Sequence, residues 1–184
     1  NITGGQVNWT SSVNLSFNRN KVLELNDKND PIYVGRSGEG NFTHKTEVGK
    51  PIGQFFGYIQ EGLYLSQRDL DTYPKHSSSV LGSVRYRDVN GDGVILPFSD
   101  FAVIGNAQPD FTWGFNNSFA YKGFDLSIML MGVQGGQLMK TANEFLTNIH
   151  GVFNVDRKIL NRWRSTDQPG DGVTPTTNGA RVIY

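Results

Sequence analysis

The sequence predicts a mainly β chain with a few short helices, and three observations carry that prediction. Residues Asn8 to Asn18 alternate strictly between two faces. Residues Asp110 to Val133 form two more alternating runs around a Lys122-Gly123 turn. The composition is also poor in aliphatic residues: 22 of 184 residues are glycine and 12% are aromatic, while only 37% are hydrophobic. That balance suits strands with long loops better than a helical bundle.

Each element follows from its local pattern. In strand 8–18, Trp9, Ser11, Val13, Leu15 and Phe17 share one face. The other face carries only Asn, Ser and Thr, without a charge, so one side is wet. Residues 26–50 are rich in Asn, Asp, Gly and Lys and read as irregular. Aromatics and glycines in 51–65 suggest one or two short strands. The polar segment 67–83 holds a helical start at Asp69-Leu70-Asp71. In strand 110–121, Phe111, Trp113, Phe115, Phe119 and Tyr121 share a face interrupted only by Asn117. Strand 124–133 places Phe124, Leu126, Ile128 and Leu130 on one face. The two strands and their two-residue turn make a hairpin. Residues 142–149 and 154–163 read as helices, the second with a Val155, Ile159, Leu160, Trp163 stripe and an Asn154 cap. Residues 165–179 are rich in Pro, Gly, Thr and Asp and form a loop.

The aromatics gather where strands end: Phe111 and Trp113 at one end, Phe119, Tyr121 and Phe124 at the turn. Aromatic rows at both edges of an apolar band, with one short turn between long loops, fit part of a transmembrane β-barrel. A soluble β-sandwich hairpin alternates in the same way, and on alternation alone it is the commoner answer. Loops this long count against a compact sandwich. No stretch of 18 apolar residues marks a transmembrane helix.

Charge and cysteine content exclude several classes. Lys and Arg total 17 against 17 Asp and Glu, so there is no basic surplus for nucleic acid or for a polybasic membrane helix. Without cysteine there is no disulfide framework, thiolate metal site or cysteine nucleophile. The chain starts at Asn1 rather than Met and is expected to be a processed or excised piece.

The strongest chemical motif is Asp88-Val89-Asn90-Gly91-Asp92-Gly93-Val94-Ile95, followed by Asp100. It matches the start of an EF-type loop, D-x-[DN]-x-[DN]-G-x-I. Calcium takes hard oxygens, which Asp88, Asn90, Asp92, the Val94 carbonyl and Asp100 would supply, with Ile95 anchoring the turn in a core. The twelfth position is Ser99, so a bulge at 96–98 is needed for Asp100 to close the site. The expected cofactor is a structural Ca²⁺ that pins a loop; a plain Asp/Asn/Gly turn is the alternative.

Other candidates are weaker. His44, His76 and His150 share no ligand spacing. Gly132 to Gly136 lacks the Lys-Ser/Thr of a phosphate loop and reads as a strand end. Gly35-Arg36-Ser37-Gly38 is not a nucleophile elbow. Asp69 and Asp71 form a carboxylate pair best read as a solvated helix start. Tyr64, Tyr73 and Tyr86 can stack on sugars, though packing is the commoner use of such side chains. No base–nucleophile arrangement marks an enzyme; a hydrolase using Asp69, Asp71 or Asp100 ranks lowest.

Several runs then fall in one order: Gly49–Tyr58 (GKPIGQFFGY), Glu61–Tyr64 (EGLY), Gly82–Ile95 (GSVRYRDVNGDGVI), Ile104–Gly114 (IGNAQPDFTWG) and Tyr121–Ser127 (YKGFDLS). This series, spread over about residues 9–163, resembles the C-terminal part of SusC/RagA-type TonB-dependent outer-membrane transporters of Bacteroidetes. The resemblance implies a large β-barrel plugged by an N-terminal domain. It also implies a SusD-like surface lipoprotein partner, oligosaccharide or peptide substrates, and energy from the TonB complex through the N-terminal part. The calcium-like loop is the one site that carries over by position, and its closing acid departs from the family pattern.

On that resemblance residues 1–184 are a single barrel fragment in the outer membrane, with strands at about 8–18, 110–121 and 124–133. The turn at 122–123 is periplasmic and the loops at about 19–109 and 135–184 are extracellular. Val13, Leu15 and Phe17 face lipid; Asn14 and Ser16 line the lumen. Strands 8–18 and 110–121 run in opposite senses, so an even number of strands separates them, a requirement that a hairpin at 51–65 meets. As an isolated piece it leaves strand edges open, and is expected to curl under the loop helices or to associate with a second copy. The competing reading is a soluble, calcium-stabilised β-module that binds glycans.

Overall fold

In the computed structural model, which describes residues 2–3, 7–36, 42–147 and 154–176, two long strands flank a third, in continuous register but for a shift between Gln134 and Gly135. β1 (Ile2–Thr3) pairs with the start of β2 (Val7–Ser16). Further along the chain come β3 (Ile32–Val34), β4 (His44–Thr46), β5 (Gln54–Gly57) and β6 (Gln60–Leu63). Then follow α1 (Gln67–Thr72), β7 (Val84–Tyr86), β8 (Ala102–Gly105), β9 (Pro109–Tyr121) and β10 (Phe124–Gly135). A short α2 (Asn143–Leu146) and a 3₁₀ turn (Arg157–Asn161) complete the order. The strands form three antiparallel sheets: β1-β2-β9-β10, β3-β4-β5-β8 and β6-β7.

The long sheet matches the strand pattern in the sequence. Lys122 (φ 45°) and Gly123 (φ 84°) both take positive φ, the type I′ geometry whose twist suits a two-residue hairpin. Cross-strand register lines side chains up in rows on one face. From the turn outward these rows are Val7-Tyr121-Phe124, Trp9-Phe119-Leu126, Ser11-Asn117-Ile128, Val13-Phe115-Leu130 and Leu15-Trp113-Gly132. Phe17 packs on Phe111 beyond them, 5.6 Å between ring centroids. Asn117, the polar interruption in β9, is buried and accepts a 3.0 Å hydrogen bond from Trp9 Nε1. Gly132 lies under the Trp113 indole, where a methyl group would come within 2.4 Å of the ring. The opposite face is Asn, Ser and Thr along β2, while β10 contributes Met129, Met131 and Val133.

This sheet has no water-excluding core. Every buried hydrophobic residue among those described lies in 55–101 or 159–163. The apolar face of the sheet stays open, with Val13 67% and Phe124 80% exposed. The expectation that loop helices would curl over it is therefore not met. The core belongs to a separate loop body, centred on Leu63, Val84 and Trp163 with Leu81 and Tyr86 against them. Gly82 is its pivot. Its φ of +79° and its place under Trp163 and Thr176 both require glycine. Its amide donates to the Tyr64 carbonyl, and its carbonyl accepts from the Thr176 amide. The segment after β10 is thereby stitched to the segment before β7.

Four expectations need correction. The 51–65 region does not insert a hairpin between β2 and β9, which are direct neighbours. Instead β5 pairs with β4 and β8, and β6 pairs with β7. Residues 26–50 are not wholly irregular, because β3 and β4 lie within them; three-residue strands carry no visible period. The second helix is a 3₁₀ turn capped by Asp156, not Asn154, through the Lys158 amide at 2.9 Å. With three residues per turn, Ile159 is buried while Leu160 is left 59% exposed, so the anticipated stripe splits. The first helix is short, Asn143–Leu146, and its anticipated end at 148–149 lies outside the described residues, as do His150, Ser37, Gly38 and 177–179.

Replacing Gly82 with alanine is expected to destabilise the loop body by about 2–4 kcal/mol, combining left-handed backbone strain with overpacking against Trp163. The reading is a lower midpoint in chemical denaturation followed by tryptophan fluorescence.

Candidate functional site

The acidic turn at 88–100 is built from hydrogen bonds to its own backbone. Asp88 accepts from the Gly91 amide (2.6 Å) and the Gly93 amide (2.8 Å). The Gly93 amide is the main reason its carboxyl is held below the usual carboxylate range; the Gly91 and Asp92 amides and the Asp100 side chain add to the effect. Asn90 Oδ1 accepts from the Asp92 amide, and Asn90 Nδ2 donates to Asp92 Oδ2 at 2.9 Å. Asp92 Oδ1 accepts from the Val94 amide. Ile95, almost wholly buried as anticipated, anchors the turn, and its amide donates to the Lys75 carbonyl.

Asp100 closes the turn from inside. It has no exposed surface, and its two oxygens accept from the Val89 amide (2.9 Å) and the Leu96 amide (2.8 Å). The bulge at 96–98 is present: the Ser99 amide donates to the Pro97 carbonyl, a γ-turn centred on Phe98 at φ 66°. A positive φ on a bulky residue costs about 1–2 kcal/mol. Of the predicted oxygens, Asp88, Asn90, Asp92 and Val94 share one exposed turn, while Asp100 sits behind them in the core. Each of the exposed side-chain oxygens accepts a hydrogen bond and keeps a second lone pair. No three acidic or histidine side chains converge among the described residues.

Beside Asp100 runs a chain of aromatic rings that the sequence reading did not single out. Phe98 touches Tyr33, Phe42 and Phe101, with centroids 6.1, 5.9 and 5.4 Å away. Phe101 stands edge-on to Phe56 (5.4 Å) and Tyr58 (4.5 Å), and Tyr58 stacks on Tyr86 at 4.4 Å. Such contacts each contribute about 0.5–1.5 kcal/mol beyond burial. The chain joins the β3-β4-β5-β8 sheet to the β6-β7 ribbon. The available signal was the aromatic density at 55, 56, 58, 98 and 101, which lacks either period.

The remaining candidates have local duties. Asp69 completes a capping box with Ser66, accepting from the Ser66 and Leu65 amides. Asp71 accepts from Gln67 Nε2, so the two carboxylates serve the helix separately. Tyr64 is core and donates its hydroxyl to the Pro74 carbonyl. Tyr73 is exposed and carries the Arg85 guanidinium 4.1 Å from its ring centroid. His44 and His76 contact Thr43 and Ser78 respectively. Gly135 ends β10, as the glycine run suggested.

Burial, and secondarily the negative charge of Asp100, push the Tyr58 hydroxyl up to about 12 from 10.0. Between those values the unfolded chain loses this proton and the folded chain keeps it, so stability falls as pH rises from 10.0 to about 12. Tyr58→Phe is expected to remove this part of the alkaline decline, measured by denaturation at stepped pH.

No protein-family model matches the chain. Sequence comparison gives a consistent result nonetheless. The chain is 32% identical over its whole length to TonB-dependent receptor P26 of Formosa agariphila. It is 30% identical over 99% of its length to TonB-dependent receptor P3, and 28% identical over 70% to TonB-dependent receptor P39, both of the same organism. It spans 19%, 18% and 15% of those proteins, under a fifth of each. This likeness, running the length of the chain, supports the TonB-dependent receptor family.

Proposed function

We propose that this chain is part of the outer-membrane β-barrel of a TonB-dependent transporter. The observation that carries the reading is the uncovered apolar face of the long sheet, bounded by aromatics at both ends. From the Val7 row to the Phe17 row is about 33 Å along the strands at ~3.3 Å per residue. At a barrel tilt of about 40° that becomes about 25 Å, the height of an outer-membrane apolar band. Tyr121, Phe124, Trp9 and Phe119 form the girdle at the turn, and Trp113, Phe111 and Phe17 the girdle at the loops. The opposite face, with Asn, Ser and Thr along β2 and Asp125, Ser127, Met129, Met131 and Val133 along β10, lines the lumen. The 122–123 turn is periplasmic and the loop body extracellular.

On this reading the protein is a transporter and not an enzyme, in keeping with carboxylates spent on caps and turns. The TonB complex supplies energy through other parts of the protein. The ordered motifs support the finer SusC-type assignment, with a SusD-like lipoprotein partner and oligosaccharide or peptide cargo. Leu130→Arg, at the middle of the apolar band, is expected to cost about 2–4 kcal/mol of barrel stability. Met131→Arg, on the other face, is expected to cost far less. Heat-modifiable gel mobility of the full-length protein in outer membranes reads both; equal tolerance would instead favour a soluble β-module.

We also propose a structural Ca²⁺ on the Asp88, Asn90, Asp92 and Val94 oxygens, with Asp100 closing the turn behind them. Remaining lone pairs on an exposed turn support this. Calcium at a hundredfold excess over its Kd is expected to stabilise the protein by about 2.7 kcal/mol. Asp92→Ala should abolish that gain in a thermal melt; no gain in the unaltered protein removes the cation.

A further inference from the structure

We propose that Asn90–Gly91 is a deamidation site that the acidic turn holds shut, with Asp88 as its guard. An asparagine followed by glycine closes to a succinimide most readily, because glycine puts no Cβ in the path of ring closure. Asn90–Gly91 is the only such pair among the described residues. Burial does not shield it. Both residues are exposed, and a side chain at Gly91 would meet nothing within 4 Å. Whatever protects this pair must come from its hydrogen bonds.

In the reaction the Gly91 nitrogen attacks Asn90 Cγ. A bond forms between them, the bond from Cγ to Nδ2 breaks, and ammonia leaves with the proton that the Gly91 amide gives up. Water then opens the ring to aspartate or isoaspartate at position 90. The turn ties down the atoms this needs. The Gly91 amide, the nucleophile, donates to Asp88 Oδ1 at 2.6 Å. Asn90 Oδ1 accepts from the Asp92 amide at 3.0 Å, and Asn90 Nδ2, the leaving group, donates to Asp92 Oδ2 at 2.9 Å. A hydrogen bond to an ionised acceptor is about twice as strong as a neutral one. The nucleophile must shed its proton to attack, and the negative charge that develops on it stands against the Asp88 carboxylate. Attack is thus opposed by hydrogen bonding and by charge at once. Isoaspartate routes the backbone through Cβ, one atom longer, and carries Gly91 off Asp88, so the guard does not re-form after the first event.

Mass spectrometry of the full-length protein, held in mildly alkaline buffer, tests this. The guard needs no cation, so a calcium chelator is present throughout. A peptide of residues 86–95 is the unguarded reference. Asn90 should deamidate about a hundredfold more slowly in the folded protein than in the peptide, the worth of the bonds that must open first. Asp88→Asn should speed the reaction at Asn90 about tenfold or more, the loss of one charge-assisted hydrogen bond. Hydrogen exchange at the Tyr64 and Gly82 amides, in the core of the loop body, should stay unchanged in that variant. Equal rates in folded protein and peptide overturn the guard. So does an unaltered rate in Asp88→Asn, or an acceleration matched by faster exchange at Tyr64 and Gly82, which marks general loosening. If Asp88→Asn does not fold, Asp92→Ala decides, since it frees Asn90 Nδ2 and leaves Asp88 in place; no acceleration there overturns the proposal as well.

Discussion

The register of β2 and β10 on β9 is the constraint on which the rest depends. Side chains in a strand alternate with a period of two, so a slip of one residue would exchange the two faces of the sheet. In this register Trp9 falls beside Phe119, Val13 beside Phe115 and Leu15 beside Trp113, and all three pairs stand on one side. A slip would put Asn8, Thr10 and Asn14 among the aromatics. The Trp9–Asn117 hydrogen bond adds a check, satisfying a polar side chain on the apolar face and doing so at one register.

The two parts of the molecule bury their large side chains in opposite ways. The long sheet keeps its large side chains outward and has almost nothing behind them. The loop body does the opposite, burying Tyr64, Ile95 and Trp163 as a water-soluble domain would. Gly82, threaded between Trp163 and Thr176, and the aromatic chain from Phe42 to Tyr86 give that body its own cohesion. Its buried side chains come from its own segments, and the sheet's apolar face stays uncovered among the described residues.

What the sequence revealed divides along the same line. The three long strands were legible because ten or more residues of alternation state both the period and the face. The small strands were not, since Ile32–Val34 and His44–Thr46 are too short to show a period and owe their conformation to partners. The segment around Ile159 reads as an α-helix by spacing, but its 3₁₀ winding turns Leu160 outward. At the acidic turn the oxygen-bearing residues and the Ile95 anchor were legible. That Asp100 would face inward, onto the Val89 and Leu96 amides, was not, because spacing along the chain says nothing of which way a bulge folds. Phe98 escaped notice for the same reason.

The connection lengths in the long sheet have a consequence for the order of assembly. The β9–β10 hairpin closes across two residues, whereas β2 must find β9 across residues 17–108. Closing a loop costs entropy that grows with its length, and pairings distant in sequence form slowly. The loop body shortens that search. The Val22 and Lys50 backbones bond to each other soon after β2 ends, and Gln137 bonds across to Asn106 where β8 hands over to β9. Once this body has collapsed, the two strand ends emerge close together. On these connection lengths the hairpin is the cheap pairing of the sheet and β2 on β9 the costly one, and residues well away from both strands set that cost.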